Sequence, residues 1–349
     1  MNESPWGPPR ATGYVTPGQP APAGPATRPL PQQAAPGGPR TVPVPSAPAR
    51  SAVPAPAGPV HDAAPAAQTR PMTEQQPRKR AGRNLRAAIG VGVGLGAVVV
   101  VSLFVYKPVF VGVIAVAVVV GLWELSSRFA ERKDIHVPLP PLAVGGAAMV
   151  VAGYLGGTEG AWVATALTAL AILLWRMFGP PDNYLRDVTA GIFTALYVPF
   201  LATFVALILS ADDGPRRVLT FLLLTVISDT GAYAVGWRFG RRKLAPRISP
   251  GKTREGLLGA VTFAMAAGAV VMPLLIDGGT WWQGLVLGLG VSASATLGDL
   301  GESMIKRDLG IKDMGTLLPG HGGIMDRLDS ILPTAPVVWL LLLAFVGAG

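Results

Sequence analysis

Cysteine is absent from the 349 residues, which excludes a disulfide framework, a thiolate metal site and a cysteine nucleophile. Histidine is scarce, with three in the chain, so any bound metal has to be held mainly by oxygen ligands. Charged residues make up only 14% against 50% hydrophobic, and a mean hydropathy of +0.45 is too apolar for a soluble domain of this length. Acidic residues are the scarcer sign, 20 against 29 basic ones, giving a net charge of +9. The basic residues fall in short runs between apolar spans, which fits anionic lipid and topology signals. No nucleic-acid motif accompanies them, so nucleic acid is not expected as a partner.

Residues 1–77 are rich in Pro, Ala, Gly and Gln and poor in aromatics, and such a segment cannot bury a core. It reads as a disordered, polyproline-leaning cytoplasmic tail, either dispensable or a docking ligand for a Pro-recognising partner. A secretory signal is not expected, because the first apolar run starts only near Ala87. Residues 78–349 read as an all-α, polytopic transmembrane bundle of about nine spans: 87–106, 108–125, 142–157, 161–177, 188–210, 217–237, 257–276, 282–301 and 331–348. The third and fourth runs are short enough to be tilted, fused or partly re-entrant. One set of alternate links carries Arg78, Lys79, Arg80, Arg83 and Arg86, then Arg128, Arg132 and Lys133, then Arg176 and Arg186; the other carries only Lys107, Arg216 and Arg217. The Lys/Arg excess marks the cytoplasmic side, so the amino terminus is expected there and the carboxyl terminus outside.

Two long links on that side, 238–256 and 302–330, hold polar residues that a connector does not need. The first contains Ser249-Pro250-Gly251-Lys252-Thr253. It is not a P-loop, since Pro246 stands where that motif needs glycine and no strand is expected before it, but its hydroxyls, amides and cations suit a phosphate ligand. Asp229, in Ser228-Asp229-Thr230, and Asp299, in Gly298-Asp299-Leu300-Gly301-Glu302-Ser303, are carboxylates in or at the end of apolar helices, where acids face a cavity, bind something or pair with a cation such as Arg238. In the second link Asp326 and Asp329 are three apart, so they share one face if a helix starts there and suit a hard cation such as Mg²⁺. The glycine-rich turn before them can offer backbone amides to phosphate.

The run Ser303-x-Ile305-Lys306-Arg307, four residues, Lys312-Asp313, then Pro319-x-His321-Gly322-Gly323-Ile324-x-Asp326-Arg327-Leu328-Asp329 resembles the signature of the phosphatidate cytidylyltransferases. Ser228 to Tyr233 and Ser249 to Gly256 resemble that family too, in the same order, and Gly315 fits its pattern. The resemblance spans roughly 86–349, strongly from Ser228 onward. It implies a dimeric, multi-pass plasma-membrane enzyme that joins CTP and phosphatidic acid into CDP-diacylglycerol and pyrophosphate. It also implies Mg²⁺, with a second, monovalent cation, held by Asp299, Asp326 and Asp329. Catalytic roles fall to Asp299, Ser303, Lys306, Arg307, His321 and Asp326, with His321 a hydrogen-bond donor to phosphate, the preferred role, or an acid for the departing pyrophosphate. Substrate contacts fall to Asp229, Ser249, Lys252, Thr253, Lys312, Asp313, Gly322, Gly323 and Arg327.

Two rivals remain at this level. A transporter could use buried acids for a cation, but the polar groups cluster in links rather than at the midplane and no inverted repeat is evident. A related transferase could use another lipid phosphate as acceptor. The acidic pattern of the CDP-alcohol phosphotransferases is absent.

Overall fold

A computed structural model describes residues 81–318 and 322–347, so the tail lies outside the described residues. The elements run α1 (Ala81–Val105), α2 (Lys107–Lys133), α3 (Leu139–Met177), α4 (Tyr184–Ala195), a π-helical turn (Leu196–Phe200), α5 (Leu201–Ser210) and α6 (Gly214–Phe239). Strands β1 (Lys243–Ala245) and β2 (Ser249–Thr253) follow, then α7 (Arg254–Leu275), α8 (Trp281–Leu309), α9 (Met325–Leu328) and α10 (Ile331–Val346). Among the described residues seven helical stretches are long and apolar enough to cross a membrane, and Gly90–Val105 is a shorter apolar helix. The chain is therefore a mostly helical, multi-pass membrane protein. Large side chains such as Val144, Leu155 and Leu274 point outward at 74–76% exposure, which suits lipid rather than water. The core beneath them is built on Leu122, Leu125, Leu142, Met149 and Phe221.

The runs expected at 142–157 and 161–177 are joined in α3, whose helical geometry breaks at Gly157 (φ 60°, ψ −149°), a conformation open mainly to glycine. The arms fold back on one another. A Cβ on Gly145 would overlap Thr168, and one on Gly160 would meet the Ala152 carbonyl at 2.5 Å. Small residues thus permit the close approach on which the reversal depends.

Helix starts follow local chemistry. Proline occupies the first turn of α2, α3 and α6, where its missing N–H loses no intrahelical bond. Thr253 caps α7 by accepting from Gly256 N at 3.1 Å. Gln283 reaches back to Thr280 N at 2.8 Å to open α8. Pro199 sits inside the π turn, where the regular hydrogen-bond ladder is already broken.

Two expectations about the links need correction. The bundle is not wholly α and a strand does precede Ser249–Thr253, because β1 and β2 pair antiparallel with Lys243 opposite Thr253 and Ala245 opposite Ser249. Link 302–330 is much shorter than expected, because α8 continues to Leu309 and the next helical turn starts at Met325. The Glu302–Lys306 pair one turn apart supports that extension, and Gly310 in the left-handed region (φ 66°) ends it. At 1.5 Å per residue the 29 residues of α8 measure about 44 Å, against about 30 Å of hydrocarbon. Its last turns, from Glu302 to Leu309, are polar sequence that the apolar layer does not need.

One end of the bundle gathers the α2–α3 turn, the hairpin and the α8–α9 loop, tied by Lys133–Asp308 at 3.0 Å and by Arg307 Nε to the Ile248 carbonyl at 3.1 Å. The opposite end is tied by Lys107 Nζ to the Ala211 carbonyl at 2.6 Å and Arg217 to the Gly347 carbonyl at 2.8 Å.

Candidate active site

The β1–β2 hairpin lies over a cleft of about 450 Å³ between α6, α7 and α8. Helices α6 and α7 meet almost backbone to backbone at its floor, since a Cβ on Gly256 would stand 2.9 Å from the Ala232 carbonyl. Polar groups enter from every side: Ser228 and Asp229 from α6, Lys252 and Thr253 from β2, Thr296 and Asp299 from α8. Lys252 forms an ion pair with Asp299. Glu255, in the first turn of α7, accepts from Arg241 N and Arg242 N at 3.1 Å each and so fixes the basic strand. Arg241, Arg242, Lys243, Arg247 and Arg254 remain exposed around the hairpin. The result is a largely apolar cleft that carries a few polar groups and a cationic rim, suited to a polyanionic ligand with an apolar neighbour.

Beside the cleft, α8 and α9 assemble an acidic cluster. Glu302 and Asp329 lie against one another, and Lys306 sits between Glu302 and Asp326, 2.6 Å from the latter. Asp329 accepts from Ser330 N at 2.7 Å, and the Ser330 hydroxyl donates to Asp229 at 3.4 Å. Asp326 is almost fully buried and accepts from Met314 N at 3.0 Å, Gly315 N at 3.3 Å and Gly323 N at 2.7 Å. Asp326 lies within α9, and Asp329 follows directly as its C-cap.

Five carboxyl groups, Asp229, Asp299, Glu302, Asp326 and Asp329, thus share this region with two ammonium groups, Lys252 and Lys306. Glu302 is 1% exposed, and its Oε1 has no hydrogen-bond partner among the described residues. A buried carboxylate oxygen without a partner is costly, and a hard cation would satisfy it. Among the described residues no three such side chains already converge as a metal-ligand set, and the two lysines pair with Asp299, Glu302 and Asp326. Donor chemistry and excess negative charge nonetheless fit a divalent ion.

Other expected residues are more dispersed. Ser303 lies half-buried on α8; Ser249 belongs to β2; Thr253 spends its acceptor capacity on the α7 cap. Arg307 braces the hairpin. Lys312, Asp313 and Arg327 are exposed. Gly322 adopts φ 79° and its carbonyl accepts from Leu318 N at 2.8 Å, which closes the turn, while Gly323 N binds Asp326. His321 and Pro319 lie outside the described residues. Residues not singled out by sequence also join the site: Glu302, the Tyr197 hydroxyl, buried without a hydrogen-bond partner among the described residues, and Glu124 of α2. An acid inside the apolar run of α2 was the available signal for Glu124.

A multi-pass bundle that gathers a cationic cleft and an acidic cluster at one end belongs to the class of membrane-embedded enzymes acting on phosphate compounds. A family model described as "Cytidylyltransferase family" matches residues 86–345. The phosphatidate cytidylyltransferase of Mycobacterium leprae (strain TN) is 40% identical over 289 residues, covering 78% of this chain and 91% of that protein. The protein of the same name from Mycobacterium bovis (strain ATCC BAA-935 / AF2122/97) is 39% identical, covering 79% and 93%. That of Brucella suis biovar 1 (strain 1330) is 40% identical over 152 residues, covering 43% and 55%. The chain belongs to the cytidylyltransferase family.

Proposed function

We propose that this enzyme transfers a cytidylyl group from CTP to phosphatidic acid, giving CDP-diacylglycerol and pyrophosphate. The observation that carries the reading is the Lys252–Asp299 cleft beside the α8–α9 acidic cluster, at the end of the bundle where α8 continues into polar sequence. A water-soluble nucleotide and a lipid headgroup can meet only at such a boundary. The cations of the hairpin lie in a link at one end of the bundle, while Asp229 and Asp299 reach toward the middle of α6 and α8; a cationic rim of that kind favours this reading over a transporter.

In the reaction a phosphate oxygen of phosphatidic acid attacks the α-phosphorus of CTP. A new P–O bond forms, the bond to the bridging oxygen of the β-phosphate breaks, and pyrophosphate leaves with that electron pair. A phosphate monoester is already nucleophilic, so positioning and charge neutralisation supply the catalysis. Lys252 and the exposed cations of the hairpin hold the triphosphate; Lys306 neutralises charge beside the acidic cluster; the turn offers the backbone amide of Gly322, that of Gly323 being held by Asp326. Asp299, Asp329 and Glu302 are the residues we assign to hold Mg²⁺, which would supply Lewis-acid stabilisation of phosphoryl oxygens when bound. Asp326, expected from sequence as a ligand, would join that set only by exchanging Lys306 for the cation.

Counting α1 and the two arms of α3 separately gives nine spans, with the active site and amino terminus on the Lys/Arg-rich, cytoplasmic side of the plasma membrane. The enzyme works as a homodimer among membrane lipids. Purified protein incubated with labelled CTP, phosphatidic acid and Mg²⁺ should yield a lipid-soluble cytidine product. Failure of folded protein to do so would refute the proposal.

A further inference from the structure

Glu124 lies on α2, is 3% exposed, and belongs to none of the motifs above. Its Oε2 accepts from Met325 N at 2.8 Å, across 201 positions of sequence. Its Oε1 has no hydrogen-bond partner among the described residues. The carboxylate fills the space where a Cβ on Gly315 or Gly323 would stand, so both positions require glycine while Glu124 is there. One helical turn further, Arg128 Nε donates to the Met314 carbonyl at 2.7 Å. From the other side Asp326 takes the N–H groups of Met314, Gly315 and Gly323.

The loop between α8 and α9 is therefore gripped near both ends, at Met314 and Met325, by two side chains of α2 spaced to share one helical face. A buried acid on an apolar helix is costly, and here its acceptor meets a backbone N–H that would otherwise be buried unpaired. Met325 opens the helical turn that carries Asp326 and is capped by Asp329.

We propose that Glu124, assisted by Arg128, is a positioning residue that fixes the glycine-rich turn and the start of α9 relative to the cleft. It acts through Gly323, Met325 and Asp326 and need not touch substrate. This extends the proposed function, because the segment it holds is the one assigned there to phosphate and to the acidic cluster.

The test combines kinetics with hydrogen exchange on purified protein. Glu124→Ala should lower kcat by about 100-fold, the scale of a misplacement near 1 Å, with little change in KM for CTP because the Lys252 cleft is built on other helices. Glu124→Gln keeps an oxygen for Met325 N and should recover kcat to within about 10-fold of wild type. In substrate-free protein, exchange of the 311–325 segment should rise at least 10-fold in Glu124→Ala while that of 214–275 stays unchanged. Gly323→Ala should loosen the same segment, and adding it to Glu124→Ala should have little further effect. Unchanged exchange in Glu124→Ala or in Gly323→Ala, wild-type kcat in Glu124→Ala, or no recovery in Glu124→Gln would each overturn the assignment. If Glu124→Ala does not fold, Glu124→Gln and Gly323→Ala decide it. Should wild-type protein fail to turn over CTP, the proposed function falls while the exchange measurements still decide the role of Glu124.

Discussion

Replacing Asp326 by Asn removes a charge without changing shape, at a carboxylate that accepts three backbone N–H groups and pairs with Lys306. Oδ2 alone reaches all three N–H groups and Oδ1 pairs with Lys306, so asparagine can keep the backbone bonds only by turning its NH₂ toward the Lys306 ammonium, which breaks the ion pair. Hydrogen bonds to charged groups contribute about 1.5–3 kcal/mol each, and breaking one side of a buried ion pair costs about 3–5 kcal/mol. We take about 3–5 kcal/mol as the combined loss, since the two effects share the same oxygens. For a chain of this size that corresponds to a fall in Tm on the order of 10 °C. The control is Asp299→Asn, whose side chain is 35% exposed and paired with Lys252; a pair that open to solvent contributes little to stability. Thermal unfolding in detergent without Mg²⁺ should show a large shift for Asp326→Asn and a small one for Asp299→Asn. If Asp326→Asn melts within about 2 °C of wild type, or Asp299→Asn loses more, the anchoring role of Asp326 is wrong.

Asp299→Asn and Asp329→Asn should lose activity by about 100-fold or more, and each should reduce the stabilisation that Mg²⁺ gives wild type, which at 100 times Kd is about 2.7 kcal/mol; a full Mg²⁺ shift in both would remove them from the metal site. Gly157→Ala should destabilise the bundle by about 1–3 kcal/mol, since alanine rarely adopts the backbone found there, and unchanged thermal unfolding would contradict the reversal of α3. Deleting residues 1–77 should leave specific activity within a few-fold of the full chain, as a Pro-rich segment supplies neither core nor ligand, and loss of activity with the membrane domain folded would refute this.

The features readable in sequence are those whose partners lie close along the chain. Asp326 lies within α9 and Asp329 caps it, and the run from Ser303 to Asp329 carries its spacing openly. Apolar runs gave the helices from 188 onward, but fell two residues short of the end of α6 and eight short of the end of α8, where both continue into polar sequence. Glu124 escaped notice because its partner Met325 is 201 residues away and no local pattern announces it. The three aspartates looked equivalent in sequence, yet Asp326 is spent on three backbone N–H groups, a distinction made by the placement of Met314, Gly315 and Gly323 around it. The hairpin was missed because its strands are short, basic and interrupted by proline, and it is held by Glu255 and Arg307 rather than by strand propensity. The two arms of α3 read as separate short runs, and only the glycine geometry at 157 shows how they meet.

The central claim is that the cleft around Lys252 carries cytidylyl transfer to a lipid phosphate. Its most direct test is a side-by-side assay of wild type and Lys252→Ala with labelled CTP, phosphatidic acid and Mg²⁺, following lipid-soluble cytidine and pyrophosphate together. Wild type should form the two products in equal amounts, and Lys252→Ala, still folded, should form them about 100-fold or more slowly, the scale of losing one charge-stabilising group. Wild-type rates in Lys252→Ala, or pyrophosphate release without a lipid-linked cytidine product, would contradict the account.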